Sequence, residues 1–224
     1  MTTTDPTLPP RTPDDHAAAS PDFWLARWSS DQILGFHEGQ PNRHLRRYWA
    51  TLGVRGRVLV PLCGKSHDLG WLAEQGHDVV GVELSPIACA AFFAERGEVP
   101  VVTAAGRHTQ YRHGRVTLLQ GDIFDLEGDF DALWDRAALI ALPAPVRARY
   151  AALVRARVRG PKLIVTFVYD QAKRDGPPFS VPDAELLVLH PDARLCNRET
   201  LDEERWRPIG TVEEAVWACP EARI

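Results

Sequence analysis

Residues 57–85 read RVLVPLCGKSHDLGWLAEQGHDVVGVELS, and this stretch decides the fold. It opens with the apolar run VLVPL, whose shortness and β-branched residues favour a buried parallel strand. Leucines then recur at helical spacing as far as Gly76, with Ser66 or Asp68 placed to cap the helix. A second apolar run follows and ends in Glu83. Strand, tight turn, helix, strand and acid together are typical of a nucleotide-binding βαβ unit.

The turn of this unit has too few glycines for a phosphate-bearing ligand. Its tripeptide GKS resembles the end of a phosphate-binding loop, but that motif needs a glycine five residues before Gly64, where this chain has Leu59. A dinucleotide-binding fold needs GxGxxG after the strand, and only Gly64 lies near this turn. The sequence therefore favours a ligand that contains adenosine without phosphates.

Two acids and an apolar residue follow predicted strands and suit such a ligand. Glu83 could bind the ribose hydroxyls, and Asp122 with Ile123 could contact adenine, while the backbone of the first turn holds an amino-acid tail. This combination describes S-adenosylmethionine. The residues alone leave two alternatives open: Glu83 as a polar residue leaving a strand, and Asp122 as the cap of a following turn.

Strands and helices alternate along the rest of the chain, which predicts a doubly wound α/β sheet closed by a C-terminal antiparallel pair. The run 99–102 contains Pro100 and predicts at best a weak edge strand, and residues 103–115 carry no recognisable motif. Arginines between residues 147 and 159 are expected to coat a solvated helix face. Three apolar runs predict further strands: residues 116–119, 130–134 and 162–169.

Composition limits the class of protein and its partners. The 224 residues are 45% hydrophobic with a net charge of −4, which predicts one globular domain over residues 21–224 and no nucleic-acid or membrane partner. Residues 1–20, rich in Thr, Pro and Asp, are expected to form a disordered tail. Four cysteines without a CxxC pair indicate reduced thiols and no metal site, and we expect a cytoplasmic protein.

Two further features carry a structural and a functional interpretation. Phe23, Trp24 and Trp28 cluster on a short predicted helix, and composition alone favours simple packing over a lid on a ligand. Arg136 ends the fourth predicted strand, on the edge where open α/β sheets bind ligands. It could orient an anionic or electron-rich substrate, or it could pair with Asp135.

Several motifs together show a specific likeness that spans the chain from about residue 22 to its C-terminus. They are FWxxxW at 23–28, GFH at 35–37, VPLCGKS at 60–66, GVELS at 81–85, GDIF at 121–124, DRAALIALP at 135–143, and YDQ at 169–171 with GPPFSV at 176–181. In these blocks and their order, the chain resembles the thiopurine S-methyltransferases of the bacterial type.

The resemblance implies S-adenosylmethionine as cofactor and the Rossmann-like fold of class I methyltransferases, with a mostly parallel seven-stranded sheet. It also implies an aromatic N-terminal lid over about residues 21–40, which reverses the preference for simple packing. On the substrate side it implies Phe36, Arg136 and Arg205. With the motif residues considered above, the predicted cofactor site comprises Trp28, Leu62, Gly64, Glu83, Leu84, Asp122, Ile123 and Arg136.

The predicted reaction is methyl transfer to the sulfur of an aromatic or heterocyclic thiol such as a thiopurine. Such thiols ionise near neutral pH, so placement matters more than a protein base, and Arg136 and Arg205 would favour the thiolate. Other functions stay open: methylation of selenium or tellurium species or of halide or thiocyanate, a non-catalytic adenosyl-ligand sensor, and a nicotinamide-dependent oxidoreductase. We expect a monomer.

Overall fold

The computed structural model describes residues 20–30 and 39–220, which form one nine-stranded sheet with helices on both faces. The strands are β1 (Arg57–Pro61), β2 (Asp78–Glu83), β3 (Val101–Ala105), β4 (His108–His113), β5 (Val116–Gln120), β6 (Ala132–Asp135), β7 (Lys162–Val168), β8 (Arg194–Thr200) and β9 (Glu213–Cys219). The α-helices are α1 (Pro21–Ser29), α2 (Arg43–Tyr48), α3 (His67–Glu74), α4 (Pro86–Glu95), α5 (Ala138–Ala141), α6 (Ala144–Arg157) and α7 (Asp183–Leu189). Short 3-10 helices lie at Trp49–Leu52, Ile123–Asp125, Gln171–Lys173 and Glu204–Ile209.

The sheet has the order β3-β4-β5-β2-β1-β6-β7-β9-β8. Its five central strands, from β5 to β7, run parallel, and the strands at both edges pair antiparallel. The predicted α/β fold and the C-terminal antiparallel pair are confirmed. Strand order reverses at β1, with β2 on one side and β6 on the other, which creates the crevice where such sheets bind ligands.

The prediction of seven strands is wrong, because a β3–β4 hairpin extends the sheet at one edge. Pro100 precedes the first residue of β3 and does not interrupt it. Four of the five residues of β3 are exposed, on both faces of the strand. A strand that buries neither face shows no alternation of apolar and polar residues, so its sequence lacks the usual signal.

Two apolar clusters cover the opposite faces of the sheet and account for its double winding. Along β1, Val58 and Val60 pack with residues of α2, α3 and α4, whereas Leu59 packs with residues of α5, α6 and α7. Successive side chains of a strand point to opposite faces, so this alternation places one helix layer on each side.

The central βαβ unit forms as its sequence predicts. The Ser66 side chain accepts the Asp68 backbone N–H and caps α3, so of the two candidate caps the serine is the one used. Gly81 in β2 allows close packing, because a Cβ there would lie 2.6 Å from the Cys63 sulfur. Because β1, β2, β5 and β6 are neighbours that run parallel, their carboxyl ends meet at one edge of the sheet.

Part of the predicted N-terminal organisation lies outside the described residues. Helix α1 begins where the sequence predicts, with Ser20 accepting the Phe23 N–H as its cap. The proposed tail lies almost entirely outside the described ranges, as do residues 31–38 of the expected lid. The domain boundaries and the lid stay predictions.

Candidate active site

One cavity of about 450 Å³ opens at the carboxyl ends of the central strands. Its walls come from α1, from the turns after β1, β2, β5 and β6, and from the segments that follow β7 and β8. All the predicted site residues in the described ranges line it: Trp28, Leu62, Gly64, Glu83, Leu84, Asp122, Ile123, Arg136 and Arg205. Phe36 lies outside the described residues. The structure thus brings these side chains together, while their individual roles stay predictions.

The turn after β1 has an unusual backbone. Leu62 has φ +49° and is the only non-glycine residue with positive φ in the described ranges, and Gly64 has φ +53°. The left-handed conformation costs a leucine about 1–2 kcal/mol, so the surrounding contacts must hold it. One of them is the Cys63 N–H, which donates to the Val82 carbonyl at 3.0 Å.

Glu83 connects this turn to the end of β2. Its buried carboxylate accepts the Gly64 N–H at 2.9 Å and the Ser85 N–H at 2.7 Å. Burial raises the pKa of Glu83, and the backbone hydrogen bonds act against that rise. A carboxylate has about four acceptor positions, so Glu83 keeps capacity for hydroxyl donors in the cavity. It is therefore more than a polar residue leaving a strand.

Asp122 caps the turn after β5 and also faces the cavity. Its carboxylate accepts the Phe124 N–H at 2.9 Å, as the capping alternative predicts. The ring of His108 donates from Nε2 to the Asp122 carbonyl at 3.0 Å, so the β3–β4 hairpin braces this turn. Gly121 permits that approach, because a Cβ there would lie 2.7 Å from the His108 ring. The segment without a motif thus supports the predicted adenine wall.

Asp135 anchors the turn that carries Arg136. Its buried carboxylate accepts the Ala138 N–H at 2.9 Å and the Tyr150 hydroxyl at 2.6 Å. Burial raises the pKa of Asp135 to about 6, and these bonds act against the rise. The carboxylate therefore fixes the turn, and the neighbouring Arg136 lines the cavity.

Asp68 is a cavity residue that the sequence analysis considered only as a helix cap. It is 3% exposed, and its two oxygens accept the Asn42 N–H at 2.7 Å and the Trp134 indole N–H at 2.8 Å. Burial raises the pKa of Asp68, while these bonds and the charge of Arg136 lower it. The sequence did contain a signal for this role: an acid in the first turn of the helix that follows the ligand-binding turn.

Arginine and aromatic side chains also line the cavity. Arg174 and Arg205 lie over the Trp206 ring, 4.9 and 5.0 Å from its centroid. Arg149 lies 3.9 Å from the centroid of Phe124, in the turn that Asp122 caps. Arg205 also pairs with a neighbouring glutamate and is about half exposed. Trp206 is 1% exposed, and its Nε1 has no hydrogen-bond partner among the described residues. The two guanidinium groups and the Trp206 ring thus form a cationic and aromatic part of the cavity wall, the arginine end.

Three of these residues were missed by the sequence analysis: Arg149, Arg174 and Trp206. The expectation of a solvated arginine face on α6 is wrong for Arg149, which lines the cavity, and for Arg147, which is buried and pairs with Glu185 at 2.8 Å. The helical spacing of Arg149 from buried apolar residues of α6 was a usable signal. Arg174 and Trp206 gave none, because one lies in an irregular segment and the other in a short 3-10 helix, where no apolar period is established.

Helix α1 covers one side of the cavity with Trp24, Arg27 and Trp28. Trp28 is buried, and Phe23 lies edge-on to Trp24 with ring centroids 5.3 Å apart. The guanidinium of Arg27 lies 4.5 Å from the Phe23 centroid. The helix thus packs its aromatic residues and also forms a wall, which is compatible with both interpretations of the cluster.

A second polar group lies away from the cavity. It consists of His44, Glu199 and Glu214. A ring nitrogen of the histidine and an oxygen of each carboxylate lie within 4.8 Å of one another, and atoms of these kinds can bind metals. The guanidinium of Arg43 already pairs with both glutamates, and His44 Nε2 lies 2.8 Å from Glu214. These contacts form an ion-pair network that ties α2 to β8 and β9. The four cysteines are free thiols.

Solved structures show which fold the chain shares. One is the 1,6-didemethyltoxoflavin-N1-methyltransferase of Burkholderia thailandensis, with TM-score 0.67 and 19% identity over 96% of this chain and 92% of that one. Another is magnesium protoporphyrin IX methyltransferase from Synechocystis PCC 6803, with TM-score 0.58 and 12% identity over 88% and 96%. The fold is that of the Rossmann-like class I methyltransferases.

Sequence similarity gives the family. The family described as thiopurine S-methyltransferase matches residues 19–220. Proteins named thiopurine S-methyltransferase are 50% identical over 177 residues in Xanthobacter autotrophicus, covering 76% of this chain and 83% of that protein, and 45% identical over 213 residues in Azotobacter vinelandii, covering 88% and 96%. The chain belongs to the thiopurine S-methyltransferase family. It is a methyltransferase enzyme, and S-adenosylmethionine is its methyl donor.

In the part of the chain that the structure describes, no helix combines the length and apolar character needed to cross a membrane.

Proposed function

We propose that this methyltransferase acts on the sulfur of aromatic or heterocyclic thiols such as thiopurines. The observation that carries the proposal is the division of the cavity into two chemically different ends. Carboxylates and turn backbone line one end, represented by the buried Glu83 and the half-buried Asp122. Arginines grouped around Trp206 line the other. The first end suits an adenosyl cofactor, and the second suits an electron-rich or anionic aromatic acceptor.

The residues at the first end fit the cofactor. Glu83 has acceptor capacity for the ribose hydroxyls, and Asp122 with Ile123 supplies a polar and an apolar contact for adenine. Leu62 and Gly64 line the cavity from a turn that has no phosphate-binding glycine pattern. When bound, S-adenosylmethionine supplies a methyl group on a positively charged sulfur. Trp28, Leu84 and Arg136 complete the proposed cofactor site.

The chain contributes placement and electrostatics to the reaction. No histidine occurs among the described residues that line the cavity. Burial and the charge of Glu83 raise the pKa of the Cys63 thiol, which leaves it a poor nucleophile or base. An acceptor that ionises by itself therefore suits this site, as heterocyclic thiols do. Arg136 would orient the thiolate and favour it over the thiol, and Arg205 would act with it.

Calorimetric titration and an acceptor comparison test this function. We expect S-adenosylhomocysteine to bind and NADH not to bind, and we expect turnover of a heterocyclic thiol such as 6-mercaptopurine. Iodide, thiocyanate and inorganic selenium species serve as rival acceptors in the same assay. Faster turnover of a rival would overturn the thiol assignment, and binding without turnover of any acceptor would indicate a ligand sensor. Light scattering checks the expected monomer.

A further inference from the structure

Asp68 is a buried carboxylate whose cavity position the proposed function does not use. It lies in the first turn of α3, directly after the turn at residues 62–66. Its oxygens accept three neutral donors: the Asn42 N–H, the Trp134 indole N–H and the Ser66 hydroxyl. A carboxylate has about four acceptor positions, so these three bonds leave room for one more. Asp68 therefore has capacity for a single further donor in the cavity that it lines.

The electrostatic surroundings of Asp68 favour a cationic donor. A buried charge is costly unless an opposite charge or strong hydrogen bonds compensate for it. The bonds to Asn42 and Trp134 are neutral, and the positive charge that acts on Asp68 belongs to Arg136. Asp68 and Arg136 thus place one negative and one positive group in the same cavity. That arrangement is complementary to a zwitterion.

Two carboxylates flank the turn at residues 62–66. Glu83 bonds the Gly64 N–H, and Asp68 follows the helix cap Ser66. In the proposed function Glu83 binds ribose, and the amino-acid tail of the cofactor then needs an acceptor for its ammonium group and a cation for its carboxylate. We propose that Asp68 binds the α-ammonium group of the cofactor tail, beside Arg136 on the carboxylate. This inference rests on the proposed function and adds a residue to it.

The test compares ligands that differ only in the tail. Wild-type protein and Asp68→Asn are titrated calorimetrically with S-adenosylhomocysteine and with 5′-methylthioadenosine, which has no amino-acid tail. We expect Asp68→Asn to weaken S-adenosylhomocysteine binding roughly 30- to 100-fold, because it removes one charge of a partly buried pair. Binding of 5′-methylthioadenosine should stay within about threefold of wild type.

Matched variants separate a direct contact from a structural effect. Glu83→Gln should weaken both ligands, because both contain ribose. Asp78→Asn makes the same chemical change as Asp68→Asn at an exposed pair with Arg115 near the other end of β2, and it should change neither affinity. If Asp68→Asn weakens both ligands equally, the residue acts on the fold of the site and the inference is wrong.

A measurement on wild-type protein keeps the inference testable if Asp68→Asn does not fold. The probe is 5′-S-(3-carboxypropyl)-5′-thioadenosine, which is S-adenosylhomocysteine without its amino group. We expect it to bind at least 30-fold more weakly than S-adenosylhomocysteine, and equal affinity would overturn the inference alone. If wild-type protein bound neither S-adenosylhomocysteine nor its analogues, the proposed function would fail first and this inference with it.

Discussion

The two ends of the cavity are built in different ways. The carboxylate end uses residues that follow neighbouring strands, and short hydrogen bonds join them, such as those from Gly64 and Ser85 to Glu83. At the arginine end, Arg174 comes from an irregular segment, and Arg205 and Trp206 come from the 3-10 helix Glu204–Ile209. The first end is held by backbone geometry and the second by side-chain stacking. We therefore expect substitutions at the first end to affect the cofactor strongly and those at the second to affect the acceptor moderately.

The largest effect is expected for Glu83→Gln. This change removes the buried charge and turns one acceptor oxygen into a donor facing a backbone N–H, so S-adenosylhomocysteine affinity should fall at least about 100-fold. Calorimetry measures the affinity, and thermal unfolding checks that the variant folds. If the variant raises the acceptor KM and leaves cofactor affinity unchanged, Glu83 does not bind the cofactor and the assignment of the two ends is wrong.

Arg136 lines the cavity and is proposed to contact both the cofactor and the acceptor, so its removal should affect both. We expect Arg136→Ala to lower kcat/KM for a heterocyclic thiol roughly 30-fold and to weaken cofactor binding, since a charged hydrogen-bond partner is worth about 2 kcal/mol or more. Arg136→Lys keeps the positive charge but not the bidentate donors of the guanidinium, so it should recover part of the loss. Wild-type values for both affinity and turnover in Arg136→Ala would show that this assignment is wrong.

Trp206 tests the arginine end alone. Trp206→Phe removes the buried indole N–H and weakens the faces over which Arg174 and Arg205 lie, so the acceptor KM should rise roughly 5- to 10-fold. Cofactor affinity should stay within about twofold. Trp217→Phe is the matched control, because Trp217 is also buried but donates to Thr166 at 3.1 Å, so it should affect stability only. A loss of cofactor affinity in Trp206→Phe would show that the arginine end also contributes to cofactor binding.

The smallest effect concerns the pH dependence of stability through Asp135. Its folded pKa of about 6 lies above the ordinary value of 3.8, so its contribution to stability is complete below the ordinary value and is lost as the pH rises through 6. Tyr150→Phe removes a hydrogen bond that lowers this pKa, which should extend the loss to higher pH. Each unit by which the pKa rises adds about 1.4 kcal/mol to the loss.

Denaturant unfolding of wild type and Tyr150→Phe between pH 5 and 8 measures this change. His190 titrates in the opposite sense, because burial lowers its pKa to about 4 and stability is lost as the pH falls through that value. The difference between the two proteins at each pH removes this contribution. A constant difference across the range would mean that Tyr150 does not influence the ionisation of Asp135.

Local patterns were sufficient for the fold and for most of the carboxylate end. The run from β1 to Glu83 alternates residues between two buried faces, and Ser66 and Gly81 serve the roles that such a unit requires. The sequence predicts a weak edge strand at residues 99–102, but not its extension into the β3–β4 hairpin, because β3 buries neither face. The hairpin nonetheless supports the site, since His108 holds the Asp122 turn.

The arginines of α6 show the limit of a sequence pattern. Helical spacing places both Arg147 and Arg149 beside buried apolar residues of α6, yet Arg149 lines the cavity and Arg147 pairs with Glu185. Which of the two faces the cavity depends on how the helix packs.

The sequence by itself determined the α/β order, the phosphate-free ligand and the family, because hydrophobic periodicity and strand-end motifs act over short stretches of chain. Only the tertiary structure decided that Asp68 and Trp206 face the same cavity. Most of the strands of the sheet lie between these two residues in the sequence. Whether both line one cavity therefore depends on strand order and helix packing. Contacts of that kind arise from the burial of whole faces, which no local pattern specifies.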